Sequence, residues 1–191
     1  MKQHSPLAMV VRPAQAGDRM GLRDLAYALA HGPLLSRYGA DPSRLGDELC
    51  TLADSDRSSE TLLIAVEPGA ASTAIWGVAR FSHSGMFGSF GGYLKLIAVA
   101  DSQQGKGVGS LLLAQVEQAV AAHSRDLFLL ASHFNDAAHR FYDRHGYREI
   151  RTAVESNNPS MLAINRKLGF EAREGLALMG RTLAAPGEKE K

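Results

Sequence analysis

The chain has 191 residues, 45% of them hydrophobic and 21% charged. Those are the proportions of one globular domain with a sizeable core, which excludes a disordered or fibrous chain. Its 21 Lys and Arg against 20 Asp and Glu leave a formal charge of +1, which excludes the broad basic field of a non-specific nucleic-acid binder, so a charged ligand has to be met by a local device.

The single cysteine, Cys50, rules out an internal disulfide framework and makes a reducing, cytoplasmic setting the expectation. Nowhere do about 18 apolar residues run together as a membrane span requires, and the short apolar stretch Leu7 to Val11 is no secretion signal. No membrane partner is expected.

Leu7 to Arg12 reads as a strand, and Pro13 opens a turn that leads through Asp18 into a helix with Leu22, Leu25, Ala26 and Leu29 on one face, stopped by Gly32 and Pro33. A second helix spans about Ser43 to Ala53, with Leu45, Leu49 and Leu52 aligned. Asp54 to Glu60 is a polar loop. Thr61 to Glu67 and Ile75 to His83 are β-branched and apolar and form an antiparallel hairpin with a longer connection.

Gly85 to Gly92 is a glycine-rich connection before the apolar strand Tyr93 to Ala100, which Lys95 interrupts. Gln104 to Ser110 then runs directly into a helix whose buried stripe is Val108, Leu112, Val116, Ala119 and Val120. Leu127 to Ala131 is a buried strand. Ala137 to Arg144 is a helix between Asn135, suited to the N-cap, and Gly146, suited to a left-handed C-terminal position. The unit is βαβα with a parallel crossover.

Shifting the sequence by 23 residues lays Asn135, Phe141, Tyr142, Gly146 and Tyr147 on Asn158, Ile164, Asn165, Gly169 and Phe170, a weak internal repeat. It predicts an added helix over Ser160 to Leu168, after which come a final strand near Leu176 to Leu183 and a disordered tail over 185–191.

Glycines at a helix N-terminus suit an anion, because the first-turn amides lack intrahelical partners and the helix dipole favours negative charge there. Gly105, Gly107 and Gly109 open that backbone to a ligand. The stretch lacks the spacing of a nucleoside-triphosphate loop, and Leu112 stands where a dinucleotide fingerprint needs its last glycine. Taken alone, such glycines read more readily as a tight strand-to-helix turn.

Two motifs in order decide between these readings. Gln104-Gly105-Lys106-Gly107-Val108-Gly109 resembles the (R/Q)xxGx(G/A) pyrophosphate loop of the GNAT superfamily of acyl-CoA-dependent N-acetyltransferases. Twenty-six residues past Gly109, Asn135 with Phe141-Tyr142 and Gly146-Tyr147 resembles that family's second motif. The likeness is close over Thr61 to Ile150 and looser over the two N-terminal helices.

The resemblance implies an α/β domain over 1–184: a mixed, twisted sheet of six to seven strands with flanking helices and a V-shaped split between two central parallel strands. Acetyl-CoA is the implied cosubstrate and no metal is expected. Backbone groups of Ile97, Ala98 and Val99 would hold the pantetheine arm and the thioester. Amides from Gln104, Gly105, Lys106, Gly107, Val108, Gly109 and Ser110 would cradle the pyrophosphate, with Lys106 facing either solvent or a ribose phosphate. Asn135 is a helix cap, a pantetheine contact, or both.

Acetyl transfer to an amine needs a group to take a proton, a donor for the growing oxyanion and an acid for the departing thiolate. Tyr142 matches the family's tyrosine and is the expected acid; the competing reading is a core aromatic. The strand before the loop offers Tyr93 and Lys95 but no carboxylate, so the base works through water, with His133 the best titratable candidate and His83 and Glu155 weaker ones. Cys50 lies in an apolar helical stripe, where a buried inert thiol is the norm.

The expected function is acetyl transfer to a primary amine on a small molecule or a protein, with no nucleic-acid partner. The alternative is a CoA-binding regulatory module without turnover. A homodimer is the expectation set by base rate and family habit rather than by any residue.

Overall fold

A computed structural model of the chain describes residues 9–32, 35–54, 59–67, 74–83, 91–132, 134–149 and 176–182. Strand β1 (Val10–Pro13) leads through a 3-10 turn, Ala16–Asp18, into α1 (Arg19–His31), and α2 (Pro42–Asp54) follows. Buried Asp18, the residue before α1, ties that point to β1 and the turn: its two carboxylate oxygens take the Arg12 guanidinium at 2.7 and 2.8 Å, and one also accepts the Gln15 amide at 2.8 Å. The Arg12 hydrogen bonds outweigh burial and hold that carboxyl below its ordinary range.

Next come β2 (Glu60–Val66), β3 (Ile75–Ser82), β4 (Gly92–Val99), α3 (Val108–Ala121), β5 (Asp126–Ser132), α4 (Asp136–Arg144), the two-residue β6 (Arg148–Glu149) and β7 (Leu176–Thr182). The strands form one sheet in the order β1-β2-β3-β4-β5-β7-β6. Only β4 and β5 pair in parallel, as their α3 crossover requires. The remaining neighbours are antiparallel, so the sheet is mixed.

Both sheet faces are covered, which is why β2 reads as an almost unbroken apolar run instead of a clean alternation. Leu62, Ile64 and Val66 meet Leu22, Leu25 and Ala26 of α1 and Leu49, Cys50 and Leu52 of α2. Leu63 and Ala65 point the other way, into a core shared with Val108, Leu112, Leu113, Val116 and Val120 of α3, Leu127 and Leu129 of β5, and Tyr142 and Tyr147.

Two glycines seat α3 on the sheet. A Cβ at Gly77 would lie 2.8 Å from the Ala98 carbonyl and 3.1 Å from Leu112 Cδ1, and one at Gly92 only 2.6 Å from Val120 Cγ1. The helix can sit this low only because no side chain stands beneath it.

The helices and strands expected along 9–149 are present, with ends within a few residues. The predicted α4 sits between Asn135 and Gly146, which has the left-handed φ of 81°. β6 is an addition: two residues carry no periodic signal. The expected helix Ser160 to Leu168, the second copy of the motif from Asn158 to Phe170 and the tail lie outside the described residues. Among the described residues no helix is long and apolar enough to cross a membrane.

Candidate active site

The site begins where two strands part. β4 and β5 pair at Gly92 with Leu127, Tyr93 with Phe128 and Leu94 with Leu129, and their pairing ends there. Against β3, Arg80 pairs with Leu96 and Phe81 with Leu94, so Lys95 is the extra residue of a β-bulge directly after the last β4–β5 pair. A bulge bends and twists its strand, and here it coincides with the parting.

Beyond it, among the described residues, β4 keeps its ladder to β3 alone. The Ala100 amide donates to the Trp76 carbonyl at 2.9 Å, which sets the phase of that ladder: Ala98 and Ala100 spend their backbone groups on β3, while those of Ile97 and Val99 face the opposite, unpaired side. A row of backbone donors and acceptors is thus turned toward the space between β4 and β5, a strand edge that an extended ligand can join.

The chain then turns into α3. The amides of Gln103 and Gln104 bond back to Ala100 (2.8 Å) and Asp101 (3.3 Å), and that of Leu111 bonds to the Gly107 carbonyl (3.0 Å). Between them lie the amides of residues 105 to 110, those of Val108 to Ser110 being first-turn groups that have no intrahelical acceptor. Gly105 and Gly107 have φ of 75° and 84°, and a Cβ at either would meet nothing within 4 Å. They are needed for the backbone's left-handed path, and no described residue fills the space above them.

Gln104 contributes differently from its neighbours. Its amide is engaged, while its side chain donates to Asp101 Oδ1 at 2.8 Å and to the Val99 carbonyl at 3.4 Å, fastening the turn to the end of β4. Lys106 is exposed, with Nζ 3.2 Å from Gln103 Oε1.

α4 closes the other side. Asn135 is the N-cap, its Oδ1 accepting from the Ala138 amide at 3.1 Å. Tyr142 is 6% exposed and belongs to the core of the α3 face, edge-on to Phe141 and tilted against Tyr147. Among the described residues its hydroxyl has no hydrogen-bond partner, and burial pushes the phenol well above its ordinary range. Tyr142 is therefore both a core aromatic and a protonated, uncommitted donor.

His133 and Glu155 lie outside the described residues. His83 follows the last residue of β3, whose Ser82 pairs with Tyr93, while Val99 pairs with Gly77; about six residues of strand, roughly 20 Å, separate it from Val99. It stacks near Phe81 and His123 and does not reach the strand's open end. Cys50 is buried at 1% exposure with Sγ 3.6 Å from the Arg19 carbonyl, in the apolar helical stripe that the sequence indicated. Among the described residues no group of three or more His, Cys, Asp or Glu could hold a metal ion.

Sequence reasoning missed the partners that come from afar: His145, whose Nε2 lies 3.1 Å from Ser110 Oγ, and Glu60, whose Oε1 holds Lys95 at the bulge. No spacing signal links residues 35 apart in sequence.

A parallel strand pair that parts ahead of a glycine turn and a helix N-terminus makes a site suited to an extended ligand that ends in an anionic group. Residues 58–149 match the family model of the acetyltransferase (GNAT) domain, and the chain therefore carries a GNAT acetyltransferase domain. No curated protein matches the sequence.

Solved structures resemble it throughout. An acetyltransferase of the GNAT family from Streptococcus pneumoniae shares 18% identity with a TM-score of 0.62, over 93% of this chain and all (100%) of that one. The PaiA N-acetyltransferase from Thermoplasma acidophilum, in complex with coenzyme A, shares 13% identity with a TM-score of 0.64, over 92% of this chain and 99% of that one. The GNAT domain of the Streptomyces lividans protein PAT shares 16% identity with a TM-score of 0.64, over 91% of this chain and 89% of that one. At these identities the likeness is one of fold.

Proposed function

We propose that this chain transfers an acetyl group from acetyl-CoA to a primary amine by direct attack of the amine on the thioester. The observation that carries the reading is the continuity of the site: the unpaired backbone edge at Ile97 and Val99 runs straight into the open turn at Gly105 and Gly107. An extended pantetheine arm would bond along that edge, and the amides of residues 105 to 110 would receive the diphosphate at the N-terminus of α3.

A lysine-like amine with a pKa near ~10.4 is mostly protonated at neutral pH, so a proton must leave before attack. With no carboxylate on β4, water relays that proton, and His133, next to the end of β5, is the titratable group we assign to receive it. The Val99 amide, facing the parted strands, stabilises the negative charge that builds on the carbonyl oxygen. Tyr142 gives its proton to the leaving thiolate; its buried phenol stays protonated across the working pH range.

The acceptor is a small-molecule or protein amine. Thiol release measured against a panel of amines, beside calorimetric titration of acetyl-CoA, tests the proposal. Acceptor-dependent release supports it, and tight binding with no release for any amine would replace it with a CoA-binding module.

A further inference from the structure

The strand that would present the thioester also carries a primary amine. Lys95 is the bulge residue itself, placed immediately after the last pair that joins β4 to β5. Its Nζ lies 2.5 Å from Glu60 Oε1, and Glu60 Oε2 takes the Arg80 guanidinium at 2.8 Å. Glu60 reaches this point because it stands in one cross-strand row with Ser82 and Tyr93, from β2 to β4. It shares the α1–α2 face of the sheet with Leu62 and Ile64. The Lys95 and Glu60 side chains are 30% and 19% exposed.

The chain thus already holds an ammonium on a carboxylate at the point where β4 and β5 part. Val99, whose amide is assigned to the thioester oxygen, is four residues further along β4, roughly 13 Å, so the extended four-carbon stem has to run along the strand toward it for Nζ to meet the carbonyl carbon. The sequence has six lysines, and Lys95 is the one placed on this strand.

We propose that Lys95 is a self-acetylation site, modified by acetyl-CoA bound in the same chain; the inference rests on the reading of the site given above. The Lys95 ammonium passes one proton to Glu60 and on to solvent. The Nζ lone pair then attacks the thioester carbonyl carbon, the N–C bond forms, the C–S bond breaks, and the second nitrogen proton goes to the departing thiolate. The products are acetyl-Lys95, CoA and one released proton.

The product has a consequence for Glu60. Burial pushes its carboxyl up, but the hydrogen bonds from Lys95 and Arg80 outweigh burial and hold it below the ordinary range. Acetyl-Lys95 is no longer a cation, so Glu60 Oε1 is released to receive the ammonium of an external acceptor. Self-acetylation would thus prepare the acceptor side of the site.

The test incubates the full chain with acetyl-CoA and no added amine, and locates acetyl groups by peptide mass spectrometry. The expected result is acetylation of Lys95 at a rate that saturates with acetyl-CoA, is independent of protein concentration, is suppressed by excess CoA, and exceeds that of the urea-unfolded chain about tenfold or more. Lys95→Arg should bind acetyl-CoA by calorimetry yet gain no acetyl group at that position. The proposal falls if Lys95 stays unmodified in a chain that binds acetyl-CoA and acetylates added amines, or if it reacts no faster than in the unfolded chain and regardless of CoA. A chain that binds no acetyl-CoA overturns the reading of the site, and this inference with it.

Discussion

His145 Nε2 lies 3.1 Å from Ser110 Oγ, while His145 Nδ1 meets the Phe141 carbonyl at 2.7 Å. A carbonyl only accepts, so Nδ1 carries the hydrogen and Nε2 of the neutral ring accepts from the serine hydroxyl. With the Phe141 ring set against Gly109, where an added Cβ would be 3.4 Å from Cε2, this bond ties the first turn of α3 to the last turn of α4. Ser110→Ala and His145→Ala should therefore couple in a double-mutant cycle by about 0.5–1 kcal/mol of unfolding free energy. Strict additivity in denaturant titrations would show that the bond contributes nothing.

Gly107→Ala separates backbone path from crowding. Its φ of 84° costs an L-residue about 1–2 kcal/mol, although the new methyl group meets nothing. Either the chain absorbs that cost in stability or the turn relaxes and loses its amide alignment. We expect a lower unfolding midpoint, a weaker acetyl-CoA affinity by calorimetry, or both. A variant unchanged in the two measurements would leave the turn without its assigned role.

Tyr142→Phe removes a hydroxyl that has no partner among the described residues and keeps the ring that fills the core. Stability should stay within about 0.5 kcal/mol of the parent, because no hydrogen bond is lost. Amine-dependent kcat should fall by about 10²-fold with little change in coenzyme affinity. Unchanged turnover across pH would remove Tyr142 from the chemistry.

His83 gives the fold a pH dependence away from the site. Burial first, and His123 second, hold its pKa below the ordinary value, and its buried Nδ1 has no partner among the described residues. The unfolded chain thus protonates this group more readily than the folded one, so the stability it contributes is complete above about pH 6.5 and is lost as pH falls through the folded value. His83→Leu, which keeps the contact with Phe81, should flatten the fall in unfolding free energy between about pH 7 and pH 5. Parallel curves for the two proteins would refute this.

How much of the site could be read in advance depended on distance along the chain. The Gln104 to Gly109 turn was legible because a left-handed backbone path requires glycine locally, and α3 and α4 were legible because a buried helical face repeats every 3.6 residues. Asn135 and Gly146 mark the two ends of α4 for the same local reasons. Tyr142 read as either a core ring or a proton donor; its burial makes it a core ring, and its hydroxyl, without a partner among the described residues, is what the proposed proton transfer uses.

The sequence by itself determined the α/β class, the glycine turn and the motif that places Tyr142, since each rests on bonds and rotations within a few residues. Only the tertiary structure decided that Lys95 forms a bulge where β4 leaves β5, that Ile97 and Val99 turn their backbone outward, and that Glu60 and His145 reach in from distant elements. Strand register and side-chain pairing between segments arise from packing the whole core at once, and no local pattern in the chain records which partner each group will meet.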